Sequence, residues 1–89
     1  MASTTAHQTY PHLSAASDAL GENPESIPVG TIIVAGGAKF RLTTVDGDHE
    51  ICWAPLKGGR CYPIWYCVGE GRTAIERTAR MREQMAAAR

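Results

Sequence analysis

Apolar and polar residues alternate through the middle of the chain, and Gly36-Gly37, Asp46-Gly47 and Gly58-Gly59 interrupt the alternation at near-equal intervals. Two-residue loops of this kind need positive φ, which Gly and Asp-Gly supply readily. Their succession predicts a four-stranded antiparallel meander over residues 29–68. Each loop also sets a register. Gly36-Gly37 pairs Ile33 with Phe40 and Thr31 with Leu42; Asp46-Gly47 pairs Leu42 with Ile51 and Phe40 with Trp53; Gly58-Gly59 pairs Trp53 with Ile64 and Ile51 with Tyr66. Residues directly opposite share a face of a sheet. Ile33, Phe40, Leu42, Ile51, Trp53, Ile64 and Tyr66 therefore gather on one apolar face. The reverse face collects Ile32, Val34, Lys39, Arg41, Thr43, Glu50, Cys52, Cys61, Trp65 and Cys67. Pro55 and Pro63 lack ladder donors, which suits an edge or a bend, and the strand from Cys61 to Val68 comes last.

Beyond the meander the period changes. Ala74, Thr78, Met81, Met85 and Ala88 recur at spacings of four and three, with Ile75 beside them. This predicts a helix over residues 73–88, opened by a Thr73-x-x-Glu76 capping box and supported by a Glu76–Arg80 pair. Its stripe is weakly apolar, so it needs a dock, and the apolar sheet face offers one. Residues 1–27 are rich in Ala, Ser and Thr, with Leu13 and Leu20 the only large aliphatic residues before Ile27. Ser14 to Leu20 can make two helical turns with Ser14 as cap. Such a segment buries little to offset its ordering entropy, and it reads as a flexible or partner-docked arm. The expected whole is one small α+β domain over residues 28–89, with the arm in front: a partly barrel-like meander and a C-terminal helix.

Composition narrows the classes of partner. The 89 residues carry no net charge, so no global field draws in nucleic acid or membrane. Charge is nevertheless uneven: residues 1–27 stand at −3, residues 28–69 at +1 and residues 70–89 at +2. The three cysteines include no C-x-x-C pair, and no apolar leader follows Met1. A cytoplasmic setting with free thiols is the expectation.

The residues that invite chemistry do not combine. His49, Cys52, Cys61 and Cys67 can be written as a zinc pattern, H-x2-C-x8-C-x5-C, but the predicted register scatters them along the sheet and between its faces. The same scatter takes His49 away from any cysteine nucleophile. Asp46 suits a turn, while Asp48 and Glu50 alternate as solvated strand residues do. The glycine pairs match neither phosphate-binding pattern. No catalytic residue, metal or cofactor is expected.

What remains is a surface. The expected register sets Arg41 opposite Cys52 and Cys52 opposite Trp65, with Lys39 nearby. A tryptophan beside cations suits a protein interface or the stacking of bases. The helix adds Arg77 and Arg80 on its outer side. Lys39, Arg41, Trp65, Arg77 and Arg80 are thus the expected partner-binding residues.

The stretch V-G-T-I-I-V-A-G-G-A-K-F-R-L-T-T-V-D-G-D, followed by I-C-W-A-P-L, resembles small SH3-like β-barrel modules and the short orphan proteins of actinobacterial phages. The resemblance covers residues 28–68 and rests on turn and strand style. It implies a module that binds proteins, nucleic acid or other subunits rather than an enzyme. The leading expectation is a non-enzymatic protein-interaction module, such as a phage-encoded effector of a host protein or a small assembly subunit. A nucleic-acid-binding regulator using the Lys/Arg/Trp face and the Arg-bearing helix is the first alternative. A virion component whose arm reaches a neighbour is the second.

Overall fold

The computed structural model describes residues 7–45 and 50–88. The elements run β1 (Gln8–Tyr10), α1 (Leu13–Glu22), a 3-10 turn (Pro24–Ser26), β2 (Ile32–Ala35), β3 (Ala38–Val45), β4 (Glu50–Pro55), β5 (Tyr62–Pro63), α2 (Ile64–Val68) and α3 (Arg72–Ala87). The strands form one five-stranded sheet in the order β1-β2-β3-β4-β5. β1 runs parallel to β2, and the later neighbours are antiparallel. The fold is α+β, as expected. The sheet is mixed and five-stranded rather than a four-stranded antiparallel meander, and it stays open where partial barrel closure was expected.

The Gly36-Gly37 hairpin forms in the expected register, with Ile33 opposite Phe40 and Ile32 opposite Arg41. Both glycines have positive φ, 60° and 85°, as a two-residue loop matched to strand twist requires. The next two registers differ from expectation. Leu42 faces Trp53 and Phe40 faces Pro55, a slip of two residues. Val45 pairs with Glu50, so four residues separate the strands; the expected Asp46-Gly47 turn lies among them, outside the described residues. Trp53 faces Tyr62 instead of Ile64, because the loop between β4 and β5 is centred on Lys57-Gly58 rather than on Gly58-Gly59. It opens with a tight turn in which Gly58 N–H bonds Pro55 C=O at 3.0 Å. A two-residue slip keeps every strand side chain on its own face. Ile33, Phe40, Leu42 and Trp53 therefore still share the buried face, each no more than 9% exposed.

Ile64–Val68 is a helix where a strand was expected. Pro63 has no N–H for the ladder and leads into the helix from extended backbone (φ −64°, ψ 150°). Winding the segment buries Cys67 in the core and turns its carbonyl to Ser14, whose Oγ donates at 2.6 Å. Trp65, two residues before Cys67 and so about 200° round the helix, is left exposed.

The expected arm is integrated into the domain from Gln8 onward. β1 pairs beside β2, and α1 packs Leu13, Ala16 and Leu20 with Ile27 into the cluster of Ile33, Phe40, Leu42, Trp53 and Cys67. Small residues make this possible. Ser14, Ala16 and Ser17 let α1 approach closely, and the hydroxyls that would oppose burial find partners. Trp53 Nε1 donates to Ser17 Oγ at 2.9 Å, and Ser17 Oγ donates to Leu13 C=O at 2.8 Å. Buried polar groups satisfied in this way cost little. His12, not Ser14, caps α1: its Nδ1 accepts from Ala15 N–H at 3.1 Å.

α3 starts one residue earlier than expected and has no capping box; Gly71 stands at its N-cap position. Glu76 bonds Arg72 (2.9 Å) rather than Arg80, and Arg72 also holds Asp18 of α1 in a two-pronged bond of 3.0 and 2.7 Å. This ion pair and Ile75, half-buried against the core, dock the first turns of α3. A Cβ on Gly71 would lie 2.1 Å from the Tyr66 ring, so only glycine fits where α2 passes into α3.

Candidate interaction surface

α1 and α2 pack on the face of the sheet that carries Ile33, Phe40, Leu42 and Trp53; α3 packs against α1 and α2 and reaches the core through Ile75, rather than lying on the sheet face as expected. Strand alternation sends Lys39 and Arg41 to the other face, where both are exposed. Arg41 lies opposite Ala54, not Cys52, and Cys52 lies opposite Pro63. The cross-strand row of Arg41, Cys52 and Trp65 is therefore not assembled. Two changes undo it: the register slip and the winding of Trp65 into α2. Arg77 and Arg80 are exposed on α3.

Trp65 has other neighbours. Its indole N–H donates to the carboxylate of Glu50 at the start of β4. Its ring stands edge-on to Tyr66 at 6.1 Å between centroids. Held from both directions, the indole forms one wall of a groove of about 390 Å³. Leu20, Pro24, Ile27, Val29, Leu42, Ile51 and Ile64 also line it. Trp65 is 54% exposed and Val29 57%. Among the described residues, apolar side chains line almost all of this groove, and Glu50 is the single ionisable group in it.

The expected surface lacks the segment expected to be an arm, which supplies Leu20, Gly21, Pro24 and Ile27, four of the eleven residues that line the groove. Pro28-Val29, an apolar pair where the first predicted strand begins, is the signal the sequence offers. Glu50, expected to be a solvated strand residue, accepts the indole N–H of Trp65.

Two of the three thiols, Cys52 and Cys67, are buried. Cys67 is buried, which pushes its thiol up from the usual range, with the Ser17 hydroxyl opposing part of the shift. Burial likewise raises Cys52, and the neighbouring Cys61 thiol adds to the effect. Both are therefore protonated at neutral pH, the opposite of an activated nucleophile. Among the described residues, no three His, Cys, Asp or Glu side chains gather at metal-binding distance. His49 of the zinc pattern lies outside the described residues. No helix among the described residues is long and apolar enough to cross a membrane. No protein-family model matches the chain, and no curated protein or solved structure matches it.

Proposed function

We propose that the chain is a non-enzymatic protein-interaction module whose contact site is the groove beside Trp65, and that the groove takes an apolar side chain from an extended peptide segment. The observation that carries this is a tryptophan more than half exposed yet fixed by a hydrogen bond, above a nearly all-apolar groove. Tryptophan in a pre-organised, apolar setting is a common anchor of protein interfaces. An exposed apolar patch of this sort is costly to keep unless something covers it.

Nucleic-acid binding has less support. Lys39 and Arg41 lie on a sheet face whose strand residues include no aromatic side chain, so the stacking platform expected for bases is missing. Assembly through a reaching arm has less support too, because residues 8–27 are packed within their own domain.

Selection from a displayed random-peptide library tests the proposal. The native chain should enrich peptides with a large apolar anchor, and the recovered peptides should shift the Trp65 fluorescence. Trp65→Ala should lose them while melting as the native chain does. Enrichment that survives Trp65→Ala, or peptides without an apolar anchor, would count against the groove.

A further inference from the structure

The second exposed apolar feature is α3. Only its first turns are docked; from Arg80 to Ala88 every residue is exposed. Met81 is 55% exposed and Met85 67%. At about 100° per residue, Ala74, Thr78, Met81, Met85 and Ala88 form one continuous seam along the helix. The alternating four and three spacing is that of a coiled-coil seam. At its docked end the seam borders a hollow of about 250 Å³ between α3 and the sheet, lined by Phe40, Tyr62, Tyr66, Ala74 and Thr78, with Arg82 also in its wall.

The charges beside the seam are of one sign. Arg77 flanks it on one side and Arg82 on the other. Glu76 and Glu83 fall on the opposite side of the helix, so they do not offset these arginines. Among the described residues, neither arginine takes part in a salt bridge. Pairing with a second copy in parallel would set Arg77 against Arg82, and antiparallel pairing would set Arg82 near its own counterpart. Like charges at these flanking positions disfavour self-association. They favour a helix with an apolar seam and acidic flanks.

We infer that the distal half of α3 is a docking surface for an acidic amphipathic helix of a partner protein, separate from the Trp65 groove. The methionines give the seam an adaptable apolar surface. Arg77 and Arg82 select the partner by charge, and the hollow beside Tyr62 and Tyr66 receives an apolar side chain from its end.

Two labelled three-heptad peptides test this, both with leucine along the seam, one with glutamate and one with lysine at the flanking positions. Fluorescence anisotropy against the full chain should show the acidic peptide binding at least about tenfold more tightly. Met81→Ser with Met85→Ser should abolish that binding, and Arg77→Glu with Arg82→Glu should reverse the preference. All four positions are exposed, so circular dichroism should show the fold retained. Trp65→Ala should leave the binding unchanged, which separates this surface from the groove. Equal binding of the two peptides, absence of binding, or loss of binding on Trp65→Ala would overturn the assignment. So would sedimentation of the chain alone as a dimer that Met81→Ser with Met85→Ser dissolves.

Discussion

The junction of α1, α2 and β4 and the outer surface of α2 and α3 handle polar and apolar atoms in opposite ways. At the junction, Ser14, Ser17, Trp53 and Cys67 are at most 1% exposed. Polar groups there are paired in a short chain: Trp53 to Ser17, Ser17 to Leu13, Ser14 to Cys67. On the outer surface, Trp65, Met81 and Met85 are each more than half exposed, and the arginines that flank the methionines lack salt bridges among the described residues. One region spends its side chains on its own fold and the other leaves them available. On the proposed reading, stability and recognition reside in different residues, even where those residues are close in sequence, as Trp65 and Cys67 are.

Substitutions should break this comparison in a definite order. The largest effect belongs to Trp53, fully buried at the centre of the core. Trp53→Ala should cost about 4 kcal/mol in urea unfolding, a large share of the stability of so small a domain. Gly71→Ala comes next. The added methyl meets the Tyr66 ring, and the resulting overpacking should cost about 2 kcal/mol by the same measurement. Ser17→Ala removes the acceptor of the Trp53 indole and leaves a buried N–H unpaired, at about 1–2 kcal/mol.

Acid should expose a smaller term. The Arg72 guanidinium holds the Asp18 carboxyl below its usual value. The native state therefore binds fewer protons at Asp18 than the unfolded chain does, and the contribution is complete above the ordinary carboxylate range. It is lost as pH falls through the depressed native value. Both side chains are well over a third exposed, so screening by solvent keeps the effect modest. Urea midpoints followed from neutral pH into acid should fall less steeply for Asp18→Asn than for the native chain. Parallel slopes would show that the bond carries no stability.

The two regions also differed in how far the sequence revealed them. The β2–β3 hairpin was legible because Gly36-Gly37 is a local signal that does not depend on distant partners. The buried sheet face was legible for a different reason: the later registers slipped by two, and an even slip leaves each side chain on its face. α1 was hidden because Ala and Ser carry little hydrophobic signal. Their contribution is close approach and hydroxyls paired to Trp53 and Cys67, residues far along the chain. α2 was hidden because Ile64 to Val68 has strand-like composition, and only the burial of Cys67 against α1 favours winding it. The expected contact surface depended on these elements. Trp65 is exposed, but its neighbours are Glu50 and residues of the segment expected to be an arm, not Lys39 and Arg41.

The smallest expected change in stability is the most telling. Trp65→Ala should leave the urea midpoint within about 0.5 kcal/mol of the native value, as substitutions at exposed positions do, while removing the peptides that the native chain selects. If instead the variant loses stability on the scale of a core truncation and keeps its peptides, Trp65 closes the interior and the division between folding and recognition residues is wrong.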